Sequence, residues 1–161
     1  MREHLYKAKR VNWRELPKEE WWVEGALFEG KENSYIFTNV KVTDKWENSE
    51  IGADVIGYLV DPETVCEYTG LTDKNSRKIF ECDIIRKMVN VYKLGENAPC
   101  GERILIGSVI WDNSSLSYPG NWSLKSKDEH GNDATYTFDN KYEVISNIFD
   151  NPELLEGGEE E

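Results

Sequence analysis

A mainly β fold, built as a barrel or a roll, is what this amino-acid sequence predicts. Three observations point there. Apolar and polar residues alternate with a period of two in stretches rich in Val, Ile, Thr, Tyr and Trp. Clusters of Gly, Pro, Asn, Asp and Ser separate those stretches at short intervals. No long amphipathic helical pattern and no internal repeat interrupts them. Many short strands joined by polar turns suit a barrel or roll better than an alternating α/β sheet.

The elements follow in order. His4 to Val11 alternates long polar and apolar residues and reads as a first strand. Leu16 to Glu20 carries Pro17 with acidic residues behind it, which suits the first turn of a short helix. Trp21 to Phe28 is extended and runs into the turn cluster Glu29 to Asn33, so Ser34 to Val42 makes its hairpin partner. Thr43 to Ser49, polar apart from Trp46, reads as a loop, and Val55 to Val60 as a strand stopped by Asp61-Pro62. Val65 to Tyr68 is followed by a polar turn at Thr72 to Ser76 and a strand from Ile79 to Met88. Gly95, Pro99 and Gly101 mark Asn90 to Glu102 as a loop. Ile104 to Trp111 is a strong β-branched strand and Asn113 to Asn121 a loop. Trp122 to Leu124, Thr135 to Phe138 and Tyr142 to Phe149 continue the sheet. Asn151-Pro152-Glu153 places a capping residue, then Pro, then an acid, predicting one last helical turn.

Composition narrows the class. The 161 residues suit one domain, or a small domain with an N-terminal elaboration. Six Trp and eight Tyr can fill a core, so disorder of the whole chain is not expected, and Trp is left over for a subunit contact. The net charge is −12, and six uncompensated acids lie between Asp150 and Glu161. The opening segment is basic instead, with Arg2, Lys7, Lys9, Arg10 and Arg14 against Glu3 and Glu15. These ends can pair within or between chains; a solvated strand and a disordered tail are the simpler expectation. An acidic chain repels phosphate backbones, which disfavours nucleic acid as a general partner while allowing a local basic face. Cys66, Cys82 and Cys100 fit neither a disulfide framework nor a zinc spacing and are expected as reduced thiols. Met1 to Arg10 has no apolar run of a secretory signal, and no run of about 18 apolar residues occurs to span a membrane. The expected location is the cytoplasm.

Two segments then carry a resemblance. Val60-Asp61-Pro62 leads through Tyr68-Thr69-Gly70-Leu71 and Asp73-Lys74-Asn75 to Glu81-Cys82-Asp83; later, Tyr142 leads to Asn147 and then Asn151-Pro152-Glu153-Leu154. In this order the motifs resemble the YopX-like family of phage and prophage proteins. Tyr6 to Arg10 and Trp22-Val23-Glu24-Gly25 are similar to its N-terminal strands. Ser76, Cys82 and Ser146 depart from the pattern, each standing where the family has glycine. Physics gives the motif residues structural work. Gly70 suits a backbone conformation other residues resist, Asp73 and Asn75 suit turn bonds, and Asp83 can tie down a neighbouring turn. The resemblance implies an SH3-like β-roll or barrel over residues 60–155, an N-terminal β extension with a short helical turn over 1–59, and a disordered acidic tail over 156–161. It implies a bacterial host cell and no cofactor, and little chemistry, because the family has no established activity.

Motifs of known chemistry are missing: no phosphate loop, dinucleotide fingerprint or nucleophile elbow occurs. His130 with Asp128 and Glu129 is a conceivable metal group, but adjacent residues in a loop rarely aim at one point. Cys82 beside Asp83, with His130 as base, makes a poor nucleophile, since a neighbouring carboxylate raises a thiol pKa. Trp13, Trp21 and Trp22 are the candidate interface residues. If Trp21 and Trp22 share a strand they face opposite ways, and one needs cover from a partner. The expectation is a phage-derived accessory protein that self-associates or binds another protein. The alternatives are a nucleic-acid-associated factor using the basic N-terminal segment and, less favoured, a carboxylate-based enzyme.

Overall fold

The structure is a computed structural model and describes residues 4–43, 52–93, 95, 97–113, 120–128, 130–137 and 141–156. The expected loop around Trp46, most of the 113–121 loop and the end of the acidic tail lie outside these residues. The described chain is mainly β and divides into two units between Tyr68 and Thr69. None of its helices is long and apolar enough to cross a membrane.

In the first unit, β1 (Tyr6–Lys9), β2 (Trp22–Glu29), β3 (Ser34–Thr43), β4 (Gly52–Val60) and the start of β5 (Cys66–Thr72) form an antiparallel sheet in the order β4-β3-β2-β1-β5. β1 is short yet central: Tyr6 sits opposite Gly25 on one side and Glu67 on the other. The alternation read from the sequence becomes an apolar face, with Ala8, Ile36 and Val60 buried and Val23, Leu27 and Val65 packed against them. Gly25 permits this closeness, because a Cβ there would lie 2.0 Å from the Phe37 carbonyl oxygen. Asp61 ends the sheet by accepting the Glu63 N–H at 3.1 Å, capping a 3-10 turn at Pro62–Thr64.

In the second unit, β6 (Lys78–Phe80) adjoins the end of β5, and β7 (Asp83–Tyr92), β8 (Pro99–Asp112), β9 (Asn121–Lys127), β10 (Asp133–Thr137) and β11 (Glu143–Asn147) form a second antiparallel sheet. Its order is β10-β9-β8-β7-β11. Ile79, Ile85, Leu105, Val109, Leu124, Tyr142 and Val144 make its core. A 3-10 turn at Pro152–Leu155 follows.

Several expectations need correction. A closed barrel is not formed among the described residues: the second sheet has terminal strands, β10 and β11, that do not pair with each other. The strand expected from Ile79 to Met88 is two strands, broken at Glu81-Cys82, where Cys82 adopts φ +66°. The expected loop from Asn90 to Glu102 is mostly sheet, because β7 continues to Tyr92 and β8 starts at Pro99. Pro99 is tolerated as the first residue of its strand, beside a register shift at Val91/Tyr92. Trp21 is helical (φ −64°, ψ −40°) and ends the Lys18–Glu20 turn, so Trp21 and Trp22 are not successive strand residues. Asn151 does not cap the last turn through its side chain.

Candidate functional site

Two regions combine cations with aromatic rings, one in each unit. In the first unit the lysines of β1 lie on a face covered by tryptophans. Lys9 is only 4% exposed, and its ammonium sits 4.3 Å from the Trp13 ring centre, 5.1 Å from Trp21 and 5.5 Å from Trp22. Lys7, also buried, has its ammonium 5.2 Å from Trp22. Trp13 meets Trp21 edge-on at 4.7 Å, and the Trp21 indole N–H donates to the Leu16 carbonyl at 3.0 Å. Arg14 stacks on Trp13 at 4.4 Å; Arg10 stacks on Tyr58 at 4.6 Å and reaches Glu20 at 3.5 Å. The 3-10 turns between β1 and β2 thus fold two tryptophans over a lysine of the adjoining strand. A desolvated cation–π contact contributes about 2 kcal/mol, so this cluster holds the unit together. The described basic residues of the opening segment face these rings and do not line up as an exposed positive stripe.

In the second unit the β7–β8 hairpin separates two grooves. Alternation along β7 puts Val89 on one face and Met88 on the other. The first groove, about 490 Å³, is lined by Val89, Leu105, Lys87, Arg103, Tyr136 and Tyr142, where the core opens at the end of the sheet. The Lys87 ammonium lies 5.0 Å from the Tyr142 ring centre. The second groove, about 370 Å³, has Met88 and Ile104 for a floor, with Lys74, Arg86, Lys141 and Glu143 around it. Met88 and Ile104 are opposite each other in register. They are 55% and 45% exposed, and Tyr92 on the same strand is 54% exposed. Glu143 accepts from Lys74 at 2.8 Å and Arg86 at 3.3 Å, and these bonds, the lysine's first, hold its carboxyl below the usual range.

The family-motif residues are spread through the strand junctions. Tyr68 is buried, and its backbone N–H donates to the Leu5 carbonyl. Thr69 donates its hydroxyl to the Ile79 carbonyl at 2.7 Å; Gly70 has φ +83°, and Leu71 is exposed. Asp73 is 5% exposed. Its carboxylate accepts the N–H groups of Asn75 at 2.8 Å, Arg77 at 2.9 Å and Val144 at 3.1 Å. Burial alone would raise its pKa, but these three donors and the Arg77 charge together hold it below the ordinary value. The Lys74 N–H donates to the Tyr142 carbonyl, so the β5–β6 turn is bound to β11 through both residues. Glu81 is half-buried in the β6–β7 turn, and Asp83 accepts the Phe80 N–H at 2.8 Å across it. Asn147 accepts the N–H groups of Phe149 and Asp150, each at 3.0 Å. Asn151 accepts from Ser146 at 2.7 Å, and Pro152 opens the last turn. These residues order turns; none of them lines the first groove, and only Lys74 lines the second.

The other chemistry considered in the sequence is not assembled. Asp128 accepts the N–H groups of His130 and Asn132, which fixes the β9–β10 turn, and Glu129 lies outside the described residues. No group of three potential metal-ligating side chains occurs among the described residues. Cys66 is buried, Cys82 half-buried and Cys100 exposed, and none is in a disulfide.

The grooves were missed in the sequence because their walls come from β7, β8, β10 and the approach to β11. Only the alternation of Met88, Asn90 and Tyr92 against Val89 and Val91 hinted at a two-sided strand. No curated protein matches the chain. The family model described as YopX protein matches residues 12–156, most of both units, and the chain therefore belongs to the YopX family.

Proposed function

We propose that this chain is a non-enzymatic, phage- or prophage-derived module that works in the bacterial cytoplasm by binding a protein chain, through the β7–β8 hairpin. The observation that carries the reading is the exposed cross-strand pair Met88 and Ile104, with cations at its margin. Contiguous exposed apolar side chains mark contact surfaces. Methionine, aromatic residues and arginine are the types enriched at such surfaces. The N-terminal tryptophans are less suited to the role, since each is half-buried against Trp or Lys neighbours within its own unit. The finer SH3-like reading of the C-terminal part is supported by its run of antiparallel strands, one of them bulged, and the final 3-10 turn. It would make the hairpin one wall of a small binding roll, an analogy of fold.

Selection of ligands from a random peptide display library on the immobilised protein tests the reading. A variant carrying Met88→Lys and Ile104→Lys, both at exposed positions, serves as counter-target. Ligands that bind the protein and lose at least tenfold on the double variant are the expected result. A selection that yields no ligand, from a protein that light scattering shows to be strictly monomeric, would contradict it.

A further inference from the structure

Residues 10–21 carry the chain from β1 to β2 as a strap of two 3-10 turns, Trp13–Glu15 and Lys18–Glu20. Neither turn contains a buried residue, and from Val11 to Trp21 only Trp13, Leu16 and Trp21 are half-buried. Backbone bonds tie the strap at its ends. The Arg10 N–H donates to the Trp21 carbonyl at 2.8 Å, and the Val11 N–H to the Leu59 carbonyl at 3.2 Å. Between those ends, among the described residues, the hydrogen bonds of residues 12–20 stay within residues 10–21. A segment with so few buried contacts can open locally while the sheet beneath it stays folded.

The middle of the strap is held by a charge against rings. Trp13 and Trp21 reach back over β1 to the Lys9 ammonium, at 4.3 and 5.1 Å, and Trp22 adds a third ring at 5.5 Å. Lys9 is 4% exposed, so water competes little for the cation, the condition in which such contacts are strongest. Its backbone is fixed in the sheet. Lys9 pairs with Trp22, its N–H donates to the Thr64 hydroxyl at 2.9 Å, and its carbonyl accepts the Asp61 N–H at 2.8 Å. The anchor therefore belongs to the sheet, and two of the three rings belong to the strap. Indoles gathered around an ammonium are also the arrangement that recognises alkylammonium ligands. Here the chain supplies that ligand itself.

We propose that Lys9 is a latch: its ammonium fills an alkylammonium cage formed by Trp13, Trp21 and Trp22 and so keeps the residue 10–21 strap closed over β1. Loss of that charge releases the strap as a unit and bares the indole faces, while the sheet stays folded. The latch is independent of the hairpin reading above, since it lies within the first unit and uses no residue of either groove.

Hydrogen exchange tests it, with the Trp21 indole N–H and the Arg10 amide reporting the strap and the β3 amides reporting the sheet. Lys9→Met keeps an apolar stem without the charge, and Trp13→Leu removes one ring of the cage. Each should speed strap exchange at least tenfold and leave β3 exchange unchanged. The double variant should be under about threefold faster than Lys9→Met alone, because removing the cation already removes what the Trp13 ring holds. Multiplied effects in the double variant, or β3 exchange that rises together with the strap, would overturn the latch. Unchanged strap exchange in Lys9→Met would do the same. Lys9→Ala empties the cage. Tetramethylammonium should restore slow strap exchange in that variant, and tert-butanol, a neutral molecule of similar size, should not. Equal restoration by the two would show that the cage takes bulk rather than charge and would overturn the proposal. Should Lys9→Ala fail to fold, the Lys9→Met and Trp13→Leu cycle decides alone.

Discussion

Ser76 and Cys82 hold φ of +64° and +66°, in the left-handed region that L-residues avoid. They are two of the three positions at which the resemblance led us to expect glycine. The positive φ was not legible in the sequence, because nothing local distinguishes a strained residue from a remodelled turn. The left-handed conformation costs a non-glycine residue about 1–2 kcal/mol, part of which glycine returns through its freer unfolded chain. Ser76→Gly and Cys82→Gly should each raise stability by about 0.5–1 kcal/mol, read as a higher urea midpoint with unchanged slope. A lower midpoint for Ser76→Gly would show that the turn is not held as described. Asp73 works the opposite way, since its buried carboxylate satisfies three N–H groups from two separate segments. Asp73→Ala strands those donors and should cost about 2–4 kcal/mol. Its folded pKa is depressed, so its contribution is complete above the ordinary carboxyl value of 3.8 and fades as pH falls through the lower folded value. Acid titration of unfolding should therefore show a stability loss below about pH 4 that Asp73→Asn makes shallower; identical acid limbs would remove Asp73 from the account.

At the scale of elements, most strands announced by alternation formed near where expected, the stretch from Ile79 to Met88 breaking in two at Glu81-Cys82, and the largest misreading came from punctuation. Gly95, Pro99 and Gly101 look like a loop in sequence, yet Gly101 pairs with Val91 inside the β7–β8 ladder. Pro99 costs little at a strand start, and the hairpin gains its cross-strand pairs regardless. Gly25 is the converse case, an unremarkable residue of β2 that cannot be replaced. A methyl group there meets the Phe37 carbonyl at 2.0 Å, which is backbone and cannot step aside. Gly25→Ala should lose about 2–4 kcal/mol, or push β2 away from β3, measurable by thermal melting and by amide exchange across that pair. Retention of the full melting temperature would mean that the two strands are not so close. The tryptophan–lysine cluster was half legible: Trp13, Trp21 and Trp22 stood out. Lys7 and Lys9 stood out too, as part of a basic segment, but their burial under the indole rings did not, since contacts between β1 and the following turns depend on chain reversal at residues 10–21.

For the whole molecule, net charge was a poor guide to local chemistry. A chain of −12 still gathers Lys74, Arg86, Lys87, Arg103 and Lys141 around one hairpin, while the basic opening segment, basic in sequence, turns its lysines onto indole rings. Binding at the hairpin should accordingly weaken as salt rises, because the Debye length shrinks from about 10 Å at 0.1 M to about 3 Å at 1 M and screens attraction to exposed cations. A salt-insensitive affinity would leave the apolar pair, Met88 and Ile104, as the whole of the attraction. Backbone-amide chemical-shift mapping of the protein with a display-selected ligand bound would locate the binding face. Binding through the hairpin should concentrate the shifts in β7 and β8, with their largest values at 88–92 and 103–105. Shifts concentrated instead around Trp13, Trp21 and Trp22, with β7 and β8 unmoved, would contradict it and move the binding face to the N-terminal unit.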